Sequence, residues 1–236
     1  FGLTQIDLSC YKERQMKRRI DALITKCKIT SYEEYIRLLK TDKVRLDEFV
    51  AYLTINVSEF YRNPEQWKLL EDEMLPYLFE RFGNDLHIWS AACSTGDEPY
   101  TLVMLLAKFI PLDKIHVYAT DIDRQVLEKA QIGIYDEKSL KGLPKEFVSK
   151  YFTQVSDRSY DQIKRCVKFC QHNLLKDRYP KECDMIVCRN VMIYFTEEAK
   201  KEIYQKFNAS LKKDGLLFVG STEQIMNYRE LGFDRH

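Results

Sequence analysis

From Gly83 onward the sequence alternates short apolar runs with helical stretches, and this alternation limits the possible folds more than any other feature. The runs 86–92, 114–121, 167–173, 183–190 and 216–221 have strand length. Helical patterns fill 98–109, 124–132 and 196–211. Strands that alternate with helices pack as a parallel sheet covered on both faces. In such a sheet ligands bind outside the carboxyl ends of the strands, so the strand-end residues are where a site should be sought.

The first third reads differently. Met16, Ile20, Leu23 and Ile24 follow helical spacing and make one apolar face, with Arg14 and Arg18 on the other side. Ser31 with Glu34 is a capping box for a helix reaching Leu39. Asp42 can cap the next helix, whose stripe is Leu46, Val50 and Leu53. Asn63-Pro64 reads as an N-cap and a first-turn proline, opening a helix with Trp67, Leu70 and Met74 and with Pro76 near its end. The change from all-helical to alternating pattern falls between Asn63 and Gly83. The expected architecture is therefore α/β: a small all-helical N-terminal domain with its linker over 1–70, then a Rossmann-like domain over 71–236. Residues 146–168 interrupt the alternation. Tyr151-Phe152, the polar stretch Ser156–Ser159 and Tyr160 onward suggest a β-hairpin insert with a polar tip.

Composition removes several function classes. No apolar run approaches the roughly 18 residues that cross a bilayer, and no signal-peptide pattern follows Phe1. The seven cysteines include no CxxC pair, and none of the four histidines stands at metal-ligand spacing from a cysteine, so no metal site is expected. Free thiols fit a reducing cytoplasm. A net charge of +1 gives no global pull on nucleic acid or acidic lipid. The local exception is the N-terminal helix, where Lys12, Arg14, Lys17, Arg18, Arg19, Lys26 and Lys28 face only Glu13 and Asp21.

Three strand ends carry chemistry. The first runs Ser90-Ala91-Ala92-Cys93-Ser94-Thr95-Gly96-Asp97-Glu98-Pro99-Tyr100, a turn of small residues opening a helix. It has one glycine and no GxGxxG. Asp97 and Glu98 stand where a pyrophosphate would meet the helix N-terminus and would repel it. They suit a cationic ligand without phosphate, such as S-adenosylmethionine; alternatively they only complement the helix dipole. The second end is Ala119-Thr120-Asp121-Ile122-Asp123. Asp121 follows Gly96 by about 25 positions, near the spacing of a ribose-binding acid, while Asp123 can cap the helix from Arg124. The fourth run ends Val187-Cys188-Arg189-Asn190-Val191-Met192-Ile193-Tyr194-Phe195 and lacks both the Asn/Asp-Pro-Pro-Tyr and the Pro-Cys signatures of nucleic-acid methyltransferases. Lys212–Gly215 reads as a helix end and a turn before the last run. The stretch Thr54–Arg62 has no periodicity, and its residues alone favour a solvated interdomain turn.

Together these segments resemble the CheR family of chemotaxis methyltransferases. The pattern is carried by Tyr11-Lys12 with Arg18-Arg19, by Thr54-x-Asn56-x-Ser58-x-Phe60-Tyr61-Arg62, by Ala91 to Tyr100, by Ala119 to Asp123, by Asn173-Leu174-Leu175 and by Cys188 to Phe195. Ser58 stands where threonine is usual, Tyr61 where phenylalanine is usual and Asp97 where glutamate is usual; none of these removes a hydroxyl or a charge. The resemblance implies a class I methyltransferase domain with a small antiparallel β-subdomain, and a further strand beyond the position of His236. It implies S-adenosylmethionine as cofactor, with S-adenosylhomocysteine as product. Asn56, Ser58, Arg62, Ala92, Gly96, Glu98, Asp121, Asn173, Leu174, Arg189 and Asn190 would hold it, and Arg62 and Tyr194 would lie nearest the transferred methyl.

The implied reaction makes methyl esters on receptor glutamates. A glutamate is ionised at neutral pH, with a reference pKa near 4.3, so no general base is needed. Catalysis would rest on orientation and water exclusion, with Arg62 as a bidentate clamp and the Tyr194 hydroxyl on the second oxygen. The implied partner is the cytoplasmic helical methylation region of a methyl-accepting receptor, met by Arg14, Lys17 and Arg18, with no nucleic acid and no membrane insertion. A monomer in the cytoplasm is expected. The hairpin tip around Asp157 is short and lacks glycine, which favours an enzyme that needs no receptor-tail tether. The alternatives are a methyltransferase of another acid or of nucleic acid, and a non-catalytic S-adenosylmethionine sensor.

Overall fold

In the computed structural model, residues 3–4, 6–152 and 159–235 are described, the side chains of 159–161 excepted. The N-terminal layer is α1 (Glu13–Lys26), α2 (Tyr32–Thr41) and α3 (Lys43–Thr54). Its own core is Met16, Leu23, Ile24, Tyr35, Leu39, Phe49 and Leu53. The caps are local chemistry. The Ser31 hydroxyl accepts the Glu34 N–H at 3.1 Å, and Asp42 accepts the Arg45 N–H at 3.1 Å.

The next helix starts with Pro64 as expected, but Asn63 does not cap it. Asn63 is left-handed (φ 60°) with no side-chain cap bond, and its Oδ1 lies 3.4 Å from the Arg189 guanidinium. α4 (Pro64–Leu69) runs through a π-turn (Leu70–Met74) into α5 (Leu75–Phe82). Pro76 has no N–H to give the helix ladder, and the wider turn just before it absorbs that break.

A five-stranded parallel sheet follows, in the order β3-β2-β1-β4-β5. The strands are β1 (Ile88–Ser90), β2 (Val117–Asp121), β3 (Val167–Gln171), β4 (Cys183–Cys188) and β5 (Leu211–Val219). α6 (Asp97–Leu106) joins β1 to β2; α7 (Arg124–Ile132), α8 (Lys145–Tyr151) and α9 (Ser159–Arg165) lie between β2 and β3; α10 (Glu197–Ser210) joins β4 to β5. β1 and β4 are buried along their whole length, which is why they read as predominantly apolar runs, with Ser90 and Asp184 as buried exceptions. The order reverses between β1 and β4, and the crevice there opens at the strand ends that carry the motifs.

Two expectations fail locally. The described residues of 146–168 are mostly the helices α8 and α9, not paired strands. Phe147 and Tyr151 are both buried, one helical turn apart, and Ile163 is buried on α9, so the core takes a helical face here. Of the expected polar tip Ser156–Ser159, residues 156–158 lie outside the described residues. At the other end β5 begins at Leu211, with no turn before it. Lys212–Gly215 becomes an irregular stretch of strand, with a register shift opposite Cys183 and Met185 and with Asp214 left-handed (φ 68°).

The N-terminal segment also touches the sheet domain. Tyr11 forms an antiparallel bridge with Phe195, their rings 4.8 Å apart. The Lys12 N–H donates to the Tyr194 carbonyl at 3.0 Å, and the Thr196 N–H to the Cys10 carbonyl at 2.9 Å.

Candidate functional site

A cleft of about 1020 Å³, counted to its open mouth, lies at the carboxyl ends of β1, β2, β3 and β4. One wall is the linker 53–59 with Arg62; the facing walls are the segments after the strands. The linker is not a solvated turn. Phe60 is fully buried, packing edge-to-face on Tyr135 and Phe152, and its carbonyl sits so close to Gly142 that a Cβ there would approach to 2.6 Å. The burial of Phe60 holds the polar residues around it, Asn56, Ser58 and Arg62, at the cleft.

Asp121 ends β2 with 8% exposure. It accepts the Ser94 N–H at 2.8 Å and the Asp123 N–H at 3.0 Å, so the acid also shapes both turns around it. Burial pushes its carboxyl up to about 6, the two amide bonds opposing. Glu98, on the first turn of α6, accepts the Ser90 hydroxyl at 2.9 Å and lies 3.8 Å from the Arg189 guanidinium. Burial pushes it up to about 7, with Arg189 and Ser90 holding it down. These are buried carboxylates with incomplete compensation, the arrangement that a cationic ligand relieves.

Asp97 does not share this role. Its carboxylate accepts the Thr95 hydroxyl at 2.6 Å, it is 2% exposed, and it is not among the cleft-lining residues. Only one of the two acids expected to meet a cationic head faces the cleft. Asp123 caps α7 by accepting the Gln125 N–H at 2.9 Å, and its other oxygen accepts the Asn56 amide at 2.7 Å. Asn56 lines the cleft, yet this bond makes it the pin between linker and β2.

Arg189 is buried. One terminal nitrogen donates to the Arg62 carbonyl at 2.7 Å and to Gln66 at 2.9 Å, and its guanidinium lies 4.7 Å over the Trp67 ring. Burial pulls its pKa down, Glu98 opposing. Arg189 therefore ties the β4 end to the linker. Arg62 itself is half-buried, and its side chain makes one hydrogen bond among the described residues, donating to the Val57 carbonyl at 3.2 Å. Cys93 and Cys188 are buried thiols pushed well above their ordinary value by burial, so neither supplies a thiolate nucleophile.

Of the residues expected at a site, Asn56, Ser58, Arg62, Ala92, Glu98, Asp121, Asn173, Leu174, Arg189, Asn190 and Tyr194 line this one cleft. Gly96 does not. It caps α6 at φ 94°, and a Cβ there would meet Ala130 and Tyr135 at 2.9 Å, so this glycine serves the turn beneath the site. Arg14, Lys17 and Arg18 are exposed on α1, away from the cleft. Arg19 differs from them: it donates to the Tyr52 carbonyl and stacks 4.4 Å over the Tyr52 ring.

Sequence reasoning gave no site role to Tyr11, Ser94 or Glu223. Tyr11 lines the cleft from the far end of the chain, a placement without local signal. Ser94 is left-handed (φ 47°), and its hydroxyl oxygen is buried in the cleft wall with no partner. Glu223 is a buried carboxylate in a polar turn. The orphaned Ser94 hydroxyl, the two under-compensated acids and the apolar walls at Ala92, Leu174 and Val191 fit a ligand with a cationic head, a ribose and an apolar ring.

Two sequence profiles match the chain: "CheR methyltransferase, SAM binding domain" over 56–233 and "CheR methyltransferase, all-alpha domain" over 2–54. A chemotaxis protein methyltransferase of Listeria monocytogenes serovar 1/2a is 42% identical over 229 residues, 96% of this chain and 87% of that protein. One from Borreliella burgdorferi is 35% identical over 243 residues, 97% of this chain and 86% of its own length. One from Escherichia coli is 34% identical over 232 residues, 93% of this chain and 79% of its own.

Proposed function

The chain belongs to the CheR methyltransferase family, and on that premise we propose that it esterifies glutamate side chains of chemotaxis receptors with methyl groups from S-adenosylmethionine. The observation that carries the reading is the convergence of Arg62 and Tyr194 on the cleft that also holds Asp121 and Glu98.

When bound, S-adenosylmethionine supplies an electrophilic methyl on a sulfonium. Asp121 would take the ribose hydroxyls, Glu98 and the Ser94 hydroxyl would face the methionine head, and Asn173 and Leu174 would border the adenine. Ala92, Asn190, Ser58 and Asn56 complete the walls, and Gly96 acts beneath them. Arg62 is free of any protein carboxylate among the described residues and can fork onto an incoming one. The Tyr194 hydroxyl would donate to its second oxygen. An ionised glutamate needs no base, which agrees with protonated thiols and with a His172 whose pKa burial lowers. Mass spectrometry of receptor peptides after turnover tests the substrate: one added methylene on glutamate supports the reading, and methylation confined to other side chains refutes it.

The two raised carboxyls give a pH prediction. Folding raises both pKa values, so the ligand-free fold binds protons more tightly than the unfolded chain. These groups therefore lower stability as pH rises from about 4 toward 7. A bound cation favours their ionised forms. Affinity for S-adenosylmethionine should fall by about tenfold or more between pH 8 and pH 5.5. Titration calorimetry at the two pH values checks this; equal affinities would remove both acids from the cofactor's surroundings.

The receptor reading adds the exposed cations of α1. Arg14, Lys17 and Arg18 would meet an acidic helical surface in the cytoplasm, the enzyme acting as a monomer and without a tail tether. No helix among the described residues is long and apolar enough to cross a membrane. Changing Arg14 and Arg18 together to Glu should slow receptor methylation by about tenfold at low salt. The effect should shrink at high salt as the Debye length falls. Affinity for S-adenosylhomocysteine should not change. A rate insensitive to the reversal, with strong loss on deleting the receptor tail, would move recognition elsewhere.

A further inference from the structure

Glu223 follows β5 and is 5% exposed, and no cation lies within ion-pairing distance among the described residues. Its carboxylate is instead held by three backbone N–H groups. Asn190 donates at 2.6 Å and Gly220 at 2.9 Å to Oε2, and Met192 donates at 2.7 Å to Oε1. Two of these amides belong to the segment after β4 and one to the end of β5. The carboxylate therefore joins the two strand ends. Asn190 is left-handed (φ 60°), a conformation that such a bond can hold, and the 3-10 turn Met192–Tyr194 starts two residues later. Gly220 is fitted to the same clamp: a Cβ there would come within 2.6 Å of the Glu223 carboxylate and 3.0 Å of the Asn190 amide.

An acid without a cation is costly to bury, and an apolar side chain would fill the space without that cost. What only a carboxylate provides is three acceptor positions for three fixed donors. We propose that Glu223 is a positioning residue for methyl transfer, setting the 190–194 turn and through it Tyr194 at the acceptor side of the cleft. The proposal rests on the reading that Tyr194 contacts the carboxylate acceptor.

The test compares Glu223→Gln, Tyr194→Phe and the double variant, with thermal unfolding and S-adenosylhomocysteine affinity measured on each. Glutamine keeps the size but turns an amide N–H toward donors. At saturating cofactor and receptor, Glu223→Gln should lower kcat about tenfold with KM for receptor unchanged. The double variant should be no slower than the slower single one. Should the glutamine variant not fold, Glu223→Ala is assayed with and without formate, which can refill the three-amide cradle; partial return of kcat supports the proposal and none overturns it. Wild-type kcat in Glu223→Gln overturns it. Multiplicative losses in the double variant overturn it too, since Glu223 would then act independently of Tyr194. If Tyr194→Phe turns over like the wild type, the Tyr194 reading fails, and with it any route from Glu223 through that side chain.

Discussion

Replacing Arg62 with alanine is expected to slow methyl transfer by about 10–100-fold while leaving the fold intact. The size follows from losing charge-assisted hydrogen bonds to a carboxylate, each about 1.5–3 kcal/mol. The fold survives because Arg62 contributes one side-chain bond, at 3.2 Å to the Val57 carbonyl. Its backbone is held by other means: its own carbonyl accepts Arg189, and the neighbouring Phe60 is fully buried. The loss should appear in kcat at saturating cofactor and receptor. Lysine should not restore it, because a single ammonium cannot fork onto both oxygens. Wild-type turnover in Arg62→Ala would end the clamp role.

Asp121→Asn should weaken S-adenosylhomocysteine binding by about 10–100-fold, the cost of losing a charged acceptor for ribose hydroxyls. This variant keeps the volume at the end of β2. It can keep one of the two amide bonds, to Ser94 or Asp123, but not both. It also removes a carboxylate that burial has raised to about 6, so the ligand-free fold should lose little. Burial makes the acid costly to the empty fold, and on the proposed reading it is useful to the occupied one. Calorimetry separates the two effects: unchanged affinity would take Asp121 out of the ribose site, and an unfolded variant would assign it to the turn alone.

What the sequence revealed was what local chemistry decides. Burial on both faces made β1 and β4 legible as predominantly apolar runs, and a cap with proper side-chain chemistry placed α7 at Asp123. The strand ends carrying Ala92, Asp121 and Arg189 followed, because a parallel sheet delivers its carboxyl ends to one side. What stayed hidden depends on partners distant in the chain. Asn63 looks like a cap and is left-handed beside Arg189, 126 residues on. Asp97 and Glu98 are neighbours in sequence, but one faces Thr95 and the other Ser90 and Arg189. The linker lacks periodicity because its register is set by Phe60 entering the core of the sheet domain. Glu223 sits in a stretch without pattern, and its meaning comes from amides more than thirty residues earlier. Residues 146–152 read as a strand because aromatic side chains favour strands, yet Phe147 and Tyr151 are spaced for one face of a helix.

The chemical bond formed gives the most direct test. The protein is incubated with methyl-labelled S-adenosylmethionine and receptor-bearing membranes, and the washed receptor is treated with alkali. A glutamyl methyl ester hydrolyses and releases its label as volatile methanol, whereas N-methyl and ether products keep theirs. The cleft described above predicts label on the receptor that leaves as methanol, and little label with Arg62→Ala. Label that stays on the receptor in base, or an active protein that never labels the receptor, would contradict it.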